Sequence, residues 1–245
     1  MPLRDYQDFA VESIFKYFET HSGNPIVAMP TGTGKSHVIS DFIRRVVMGF
    51  PNQKIVMLTH VKELIEQDLA KLLEAWPTAP VGVLSAGLDR YDTRQPIIFA
   101  GIGTAIKRVH LLGYIDLILI DECHLVSPEQ ETMYKRFIKL ARQENPNLKV
   151  IGFTATHFRM GQGMLTDDGG LFTDTCVDMT GIKAFNWFIE EGYLVRLVPR
   201  PMKTQIDISS VRITGGEYNL KDLQKATDIE EITYAQKEGN TIEID

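Results

Sequence analysis

The feature that most constrains the fold is a glycine-rich turn at residues 29–36 (MPTGTGKS), which stands between a short apolar run and a helical pattern. The apolar run covers residues 26–28, and the helical pattern extends to about Val47. Such a turn between a strand and a helix lets backbone N–H groups close around phosphate oxygens, and the helix adds the positive end of its dipole. Lys35 would then reach the β- and γ-phosphates of a nucleotide, and Ser36 would hold Mg²⁺. The predicted nucleotide-binding residues of this loop are Thr31, Gly32, Thr33, Gly34, Lys35 and Ser36.

A pair of acids follows the strongest strand pattern in the chain. Residues 115–120 are apolar except for Asp116, which suits a central parallel strand buried on both faces. Asp121 and Glu122 come directly after it. A carboxylate at this position can hold a Mg²⁺ ion that a phosphate loop also binds, and a second one can deprotonate an attacking water. We therefore expect Asp121 and Glu122 to act together with Lys35.

Short apolar runs alternate with helical patterns along the first 160 residues, which predicts an α/β fold. The predicted strands cover Pro25–Met29, Lys54–Thr59, Val81–Leu84, Pro96–Ala100, Ile115–Ile120 and Leu148–Phe153. The predicted helices cover residues 5–19, about 35–47, Val61–Leu73, Pro128–Gln143 and Gly181–Glu191. Gly161–Thr175 is predicted to be a loop and Tyr193–Met202 to be extended. This order implies a mostly parallel central sheet with helices on both faces and with ligands at the carboxyl ends of the strands.

Composition excludes several classes of protein. The 245 residues include 26 Lys and Arg against 32 Asp and Glu, and this net charge of −6 excludes a generally basic nucleic-acid binder but not a local basic patch. Two cysteines exclude a disulfide scaffold. The sequence has no apolar run of membrane-spanning length and no apolar signal core. We expect a reduced, cytoplasmic protein with no membrane partner.

In chain order, the motifs resemble those of superfamily 2 helicases and translocases of the DExH type. They are Leu3–Gln7 (LRDYQ), the phosphate loop, residues 59–64 (THVKEL), residues 121–124 (DECH) and residues 154–156 (TAT). The chain is most similar to the RadD-like DNA repair helicases within the XPB-like group. The stretches that carry this resemblance are His60–Gln67, Leu117–His124, Gly152–Arg159 and Glu191–Leu194. The resemblance covers about residues 3–200 and implies a RecA-like P-loop NTPase domain, the first of the two in such a motor.

The resemblance implies roles for further residues. Gln7 matches the glutamine that reads the adenine edge, and Arg4 is the arginine beside it. The residues that match those coupling hydrolysis to domain movement are His124, Thr154, Thr156 and Arg159. The residues placed where the family contacts the nucleic-acid backbone are Thr59, His60, Lys62 and Thr104. Three positions depart from the pattern. Met29 stands where the phosphate loop usually has its first glycine, His157 replaces a proline, and Gly103 stands where a polar residue is usual.

The expected domain organisation has three parts. Residues 1–160 form the core of the ATP-binding domain, and 161–202 complete or flank it. Residues 203–245, with five basic and nine acidic side chains, are an acidic peripheral tail. The Gln-x-x-Gly-Arg-x-x-Arg motif of a second RecA-like domain does not occur in the sequence. We expect the tail to lead toward that C-terminal domain, and the chain alone to bind ATP and Mg²⁺ but hydrolyse ATP weakly.

The resulting hypothesis is the motor domain of an ATP-dependent nucleic-acid helicase or translocase, with DNA favoured over RNA. One alternative is a motor fragment of a restriction-enzyme translocase, which shares the DExH chemistry. Another is a nucleotide-binding interaction module without catalysis, although such a module has no need of Lys35, Asp121 and Glu122 together. A small P-loop kinase would leave residues 60–67 and 154–159 without a role.

Overall fold

The computed structural model describes residues 2–126, 128–159, 163–196, 211–214, 217–219 and 222. The α-helices are α1 (Asp5–Thr20), α2 (Lys35–Gly49), α3 (Lys62–Ala75), α4 (Ile102–Ala105), α5 (Val109–Leu112), α6 (Pro128–Glu144) and α7 (Ile182–Glu190). The strands are β1 (Pro25–Ala28), β2 (Ile55–Thr59), β3 (Val81–Ser85), β4 (Arg90–Tyr91), β5 (Ile97–Gly101), β6 (Leu117–Ile120), β7 (Lys149–Thr154), β8 (Phe158–Arg159), β9 (Gly163–Met164), β10 (Asp174–Asp178), β11 (Ile213–Thr214) and β12 (Glu217–Tyr218). Within these ranges no helix is long and apolar enough to cross a bilayer.

Eight of the described strands form one sheet in the order β10-β1-β7-β6-β2-β5-β3-β4. Neighbouring strands are parallel, except that β4 runs antiparallel to β3 at the edge. Strands β1, β2 and β6 are buried along their whole length, which explains why they are continuous apolar runs in the sequence. The mostly parallel α/β fold predicted from the sequence is confirmed.

Helices cover both faces of this sheet because successive strand residues point to opposite sides. Val27, Met57 and Leu119 belong to the core under α1, α2, α3 and α7. Their neighbours Ile26 and Val56 belong to the core on the other face, under α4, α5 and α6. Since the strands are parallel, their carboxyl ends meet at one edge, and the loops that carry the predicted motifs lie together there.

The loop prediction for residues 161–175 is wrong at two places. Gly163 and Met164 form β9, which pairs with β8, and Asp174 begins β10, which pairs with β1. Strand β10 lies at the edge of the sheet, and its one buried residue is Val177. An edge strand of this kind has no apolar alternation to mark it in a sequence.

The extended conformation predicted for residues 193–202 is also not observed in the part that the structure describes. The N–H groups of Tyr193 and Leu194 both donate to the carbonyl of Phe188, so the chain turns back over the end of α7. Residues 197–202 lie outside the described ranges. Most of the predicted acidic tail does so as well, apart from residues 211–214, 217–219 and 222, which include the short β11–β12 pair.

Candidate functional site

The glycine-rich loop connects β1 to α2, as the sequence predicts. Gly32 and Gly34 have φ angles of 84° and 82°, a left-handed conformation that L side chains rarely adopt. A Cβ at Gly34 would also clash with Nε2 of Gln7. The side chain of Thr33 is buried and donates from Oγ1 to the carbonyl of Pro30 over 2.7 Å. This turn places Lys35 and Ser36 in the first turn of α2, while Thr31 and Gly32 stay exposed.

Lys35 lies against both acids that follow β6. Its Nζ donates to Oε1 of Glu122 over 2.5 Å and lies 3.3 Å from Oδ1 of Asp121. Burial disfavours the charge on the lysine, but the two carboxylates outweigh this effect and raise the pKa of Lys35. Burial raises the pKa of the Asp121 carboxyl, and the ion pair with Lys35 opposes that rise. The three residues, 87 positions apart at most, thus form one charged cluster.

Glu122 has a strained backbone and an incompletely bonded carboxylate. Its φ angle is 44°, in the left-handed region, which costs a non-glycine residue on the order of 1 kcal/mol. Its N–H donates to Oδ1 of Asp121 over 2.9 Å. Its Oε2 is buried without a hydrogen-bond partner, and Nδ1 of His124 lies 3.4 Å from it. An acceptor left unsatisfied in a buried site is available to a ligand or a water.

A chain of hydrogen bonds links His124 to the turn after β7. The Oγ1 atom of Thr154 donates to the carbonyl of Thr156 over 2.7 Å and accepts from the N–H of Thr156 over 3.0 Å. It also lies 2.8 Å from Nδ1 of His124. Since the hydroxyl proton is already used, His124 must donate from Nδ1. Thr156 takes part in this arrangement through its backbone, and the side chain of Arg159 lies outside the described part of the chain.

Arg4 and Gln7, predicted to contact adenine, lie beside the phosphate loop at the start of α1. Gln7 is buried and accepts from the N–H of Arg4 over 3.0 Å. Its Nε2 donates to the carbonyl of Thr33 over 3.0 Å, and the hydroxyl of Tyr6 donates to the same carbonyl over 2.8 Å. Tyr6 belongs to the LRDYQ motif, but its helical spacing predicts only an apolar position of α1, so its bond to the phosphate loop is visible only in the structure.

Two of the predicted nucleic-acid contacts are buried threonines. Thr59 ends β2 with 4% of its surface exposed, and its Oγ1 accepts from the N–H of Val61 over 3.3 Å. Thr104, in α4, is 8% exposed and accepts from the N–H of Ala86 over 3.0 Å. Both hydroxyls already have partners within the protein. A contact from either of them to nucleic acid stays a prediction.

The other two predicted contacts are more accessible. His60 is half-buried between β2 and α3, and burial lowers the pKa of its imidazole. Lys62 is the exposed first residue of α3, and its Nζ lies 3.8 Å from Glu63. They lie at the same carboxyl edge of the sheet as the phosphate loop.

A cavity of about 440 Å³ opens between α2 and α3 beside the phosphate loop. Leu3, Ser36 and His37 line one part of it, and Trp76 lines another. Its volume falls in the range of small-molecule sites. Asp68 lies nearby in α3 and is 8% exposed. Burial and the negative charge of Asp121 raise the pKa of Asp68 to about 7, and no sequence motif marks this residue.

Comparisons with known proteins match most of the chain. The family described as "Type III restriction enzyme, res subunit" matches residues 1–159. The putative ATP-dependent helicase IRC3 of Saccharomyces cerevisiae is 26% identical over 238 residues, which cover 94% of this chain and 33% of the relative. The type I restriction enzyme EcoAI endonuclease subunit of Escherichia coli is 25% identical over 248 residues, covering 94% of this chain and 29% of that subunit. The chain thus spans about a third of the length of these relatives.

Two solved structures share the fold. The type ISP restriction-modification enzyme LlaGI, as a nuclease-deletion mutant in complex with a DNA substrate mimic, superposes with a TM-score of 0.58 at 17% identity and covers 79% of this chain and 21% of that one. The UvsW helicase of bacteriophage T4 gives a TM-score of 0.54 at 18% identity, over 71% of this chain and 60% of that one. Because the family match covers well over half of the sequence, the chain belongs to the family described as "Type III restriction enzyme, res subunit", with the first RecA-like motor domain of a superfamily 2 helicase.

Proposed function

We propose that this domain binds ATP with Mg²⁺ and hydrolyses it to drive movement along nucleic acid. The observation that carries the proposal is the cluster in which Lys35, at the end of the phosphate loop, contacts both Asp121 and Glu122. A cation at a helix N-terminus beside two carboxylates supplies a phosphate site, a metal ligand and a proton acceptor within one small region.

Lys35 would bind the β- and γ-phosphates by exchanging its partners. Its Nζ now donates to Glu122, and phosphate oxygens would take over that donor. The exchange replaces one charge-assisted hydrogen bond by another, so the lysine stays paired throughout. It also releases the Glu122 carboxylate for its own role. The loop N–H groups and the dipole of α2 would add to the phosphate binding.

Ser36 and Asp121 would hold the Mg²⁺ ion. Both offer oxygen ligands, which Mg²⁺ prefers, and Asp121 is buried next to Lys35. Among the residues that the structure describes, no three His, Cys, Asp or Glu side chains converge on a metal site. The remaining ligands would therefore be phosphates and waters, as is usual for Mg²⁺ at nucleotide sites. The ion supplies charge neutralisation at the β- and γ-phosphates.

Glu122 would accept the proton of the attacking water. Its buried Oε2 has no hydrogen-bond partner, so it has an acceptor position available. His124, whose Nδ1 lies 3.4 Å from that oxygen, is bonded to Thr154 at the end of β7. A change in the charge of Glu122 would alter its electrostatic interaction with His124. A resulting shift of His124 would displace the turn at residues 154–156 through the hydrogen bond to Thr154. This is a direct physical route for the predicted coupling between hydrolysis and movement.

The nucleic acid in this proposal is DNA. Its support lies in the names of the relatives, which include ATP-dependent DNA helicases called MPH1 and the DNA-bound LlaGI. Exposed Lys62 and half-buried His60 would contact the phosphate backbone. A second RecA-like domain would close the nucleotide site and supply arginines, which are worth about 10³–10⁵ in rate in related enzymes.

The first test is nucleotide binding and turnover by the 245-residue chain. ATP affinity is measured by calorimetry with and without Mg²⁺. ATPase rates are measured with single- and double-stranded DNA and RNA at low salt, because backbone binding is salt-dependent. We expect Mg²⁺-dependent ATP binding with weak turnover that DNA raises more than RNA does. Absence of ATP binding would refute the proposal, and binding without turnover after a second RecA-like domain is supplied would favour a non-catalytic module.

A second candidate is the motor of a restriction-enzyme translocase, favoured by the similarity to EcoAI and LlaGI. Both functions use the same ATP chemistry, so ATPase assays do not separate them. A helicase separates the strands of a forked duplex, whereas a translocase displaces a third strand from a triplex and leaves the duplex intact. Displacement of the triplex strand alone would favour the translocase.

A further inference from the structure

Arg4 lies on the aromatic ring of Tyr193, a residue of the EGYL stretch for which the sequence analysis predicts no role of its own. The guanidinium carbon of Arg4 lies 4.6 Å from the centre of the Tyr193 ring. Its NH1 also donates to the hydroxyl of Tyr6 over 3.2 Å. A flat cation on an aromatic face with one hydrogen bond has a fixed position and a fixed plane. Arg4 nevertheless remains exposed, so a further group can approach it.

Tyr193 is itself fixed by its neighbours. Its ring centre lies 5.0 Å from that of Tyr6 and 5.7 Å from that of Trp187. Its N–H donates to the carbonyl of Phe188 over 2.8 Å, which ties it to the end of α7. Contacts between aromatic rings at such distances stabilise beyond the area they bury. The ring under Arg4 therefore belongs to a rigid cluster.

The same cluster contacts the phosphate loop. Tyr6 donates from its hydroxyl to the carbonyl of Thr33 over 2.8 Å. Leu194, next to Tyr193, lies with its Cδ2 3.1 Å from the Cβ position that Gly32 leaves empty. The turn after α7 thus fixes Arg4 and packs against the loop that is proposed to bind phosphates. This turn therefore determines where Arg4 lies relative to the phosphate loop.

The cavity between α2 and α3 comes close to this arrangement at one end. Leu3, adjacent to Arg4 in the chain, lines the cavity of about 440 Å³ together with Ser36 and His37. The cavity thus extends from the first turn of α2 to the residue before Arg4, and neither Arg4 nor Tyr193 lines it. With phosphates at Lys35, as proposed above, the base of a nucleotide would lie toward the exposed Arg4 guanidinium.

We propose that Tyr193 is a positioning residue for the nucleobase, in a stack of Tyr193, the Arg4 guanidinium and adenine. This inference rests on the proposed ATP binding and adds a residue on which the affinity for the base depends. Arg4 would touch the base, and Tyr193 would act through Arg4. Substitution of a residue that only packs the core would weaken the binding of the base and of the phosphates equally. Substitution of a residue with the proposed role weakens only the binding of the base.

The test compares ATP with inorganic tripolyphosphate as ligands of the same chain, by calorimetry with Mg²⁺. In Tyr193→Leu we expect ATP affinity to fall about 3- to 30-fold, the range of a cation–π contact, while tripolyphosphate affinity stays within about 2-fold. Tyr193→Phe keeps the ring and should bind both ligands like the wild type. Tyr114→Leu, at a tyrosine that is 55% exposed, is the matched control.

Variants of Arg4 keep the inference testable if Tyr193→Leu does not fold. Arg4→Lys keeps the charge but loses the planar stack, and we expect the same loss confined to ATP. In a foldable double variant, Tyr193→Leu with Arg4→Ala, the loss should not exceed that of Arg4→Ala alone. Equal losses for ATP and tripolyphosphate, or no loss for either, would overturn the role of Tyr193. If the wild type bound neither ligand, the proposed function would fail together with this inference.

Discussion

The Nζ atom of Lys35 lies 2.5 Å from Oε1 of Glu122, so the predicted phosphate-binding lysine and the predicted general base neutralise each other in this structure. Asp121 adds a second contact to the lysine at 3.3 Å. Any phosphate that binds Lys35 must compete with the Glu122 carboxylate. If the nucleotide binds at Lys35 as proposed, its binding would therefore also release the Glu122 carboxylate. The stability of the site without nucleotide depends on the same lysine.

Lys35→Ala should remove tight ATP binding and also destabilise the protein. It leaves two acids without their cation, and Asp121 is 6% exposed, so we expect a loss of about 3 kcal/mol in the free energy of unfolding. Urea unfolding with and without ATP measures both effects. Lys139→Ala, at an exposed lysine of α6, is the control.

The ion pair can be tested separately from nucleotide binding by adding Glu122→Gln to Lys35→Ala. The double variant has one fewer unpaired charge, so its stability should be higher than that of Lys35→Ala alone. ATP affinity should remain lost, since the cation is still absent. Unchanged ATP affinity in Lys35→Ala would contradict the phosphate role of this lysine.

Glu122→Gln alone should keep ATP binding and lose turnover. The amide retains the shape of the side chain but does not accept a proton from water, and a general base contributes about 10²–10⁴ in rate. Phosphate release under single-turnover conditions, with the second RecA-like domain supplied, measures the loss. Glu66→Gln, at an exposed position of α3, should behave like the wild type. Wild-type turnover in Glu122→Gln would show that another group takes the proton.

The features predicted from the sequence are those encoded locally. The buried strands are recognisable because residues such as Ile118 and Val56 lie in short runs that are apolar on both faces. The phosphate loop is recognisable because Gly32 and Gly34 supply positive φ angles that other residues rarely adopt. The position of Asp121 follows from the strand before it. Each of these signals is contained within a few neighbouring residues.

The features that escaped prediction depend on contacts between distant parts of the chain. Strand β10 pairs with β1 across about 150 positions, and its own sequence has no alternation. Tyr6 looks like any apolar residue of α1 until its hydroxyl is seen to bond Thr33. Tyr193 acquires a role only because α7 ends beside Arg4. A single sequence does not show which distant residues come into contact in the folded protein.

Thr154→Val should uncouple the DECH motif from the turn after β7. The loss of the hydroxyl leaves the Nδ1–H of His124 and the carbonyl of Thr156 without this partner, at a cost of about 1–3 kcal/mol in stability. We expect ATP affinity to be kept and the stimulation of ATPase activity by DNA to fall. Thr154→Ser keeps the hydroxyl and should restore the ratio of stimulated to basal rate. Equal ratios in both variants would exclude Thr154 as a coupling residue.

Asp68 should make the stability of the domain depend on pH. Burial, with the charge of Asp121, raises the pKa of Asp68 to about 7, well above the value of about 4 for an unfolded aspartate. Between these values the folded protein keeps a proton that the unfolded chain gives up. The stabilisation is therefore full below about pH 4 and is lost as the pH rises toward 7.

Asp68→Asn removes this titration. The variant should gain stability relative to the wild type as the pH rises from 5 to 8, and the difference should level off above about pH 7. Urea unfolding at several pH values measures it. Glu66→Gln, an exposed acid on the same helix, is the control. Parallel curves for Asp68→Asn and the wild type would contradict the raised pKa.

Gly34→Ala tests the link between Gln7 and the phosphate loop. The new Cβ would meet Nε2 of Gln7 at a residue whose φ angle is 82°, so both the loop and the glutamine would have to shift. We expect weaker ATP and tripolyphosphate binding and a loss of about 1–3 kcal/mol in stability. Gly49→Ala, near the end of α2 in open space, should be neutral or stabilising by up to about 1 kcal/mol. Adding Gln7→Ala to Gly34→Ala removes the clash but not the strained φ angle. Part of the lost stability should therefore return, while the cost of the strained backbone remains. Full recovery would mean that contact with Gln7 alone makes glycine necessary here, and no recovery would mean that the left-handed backbone does.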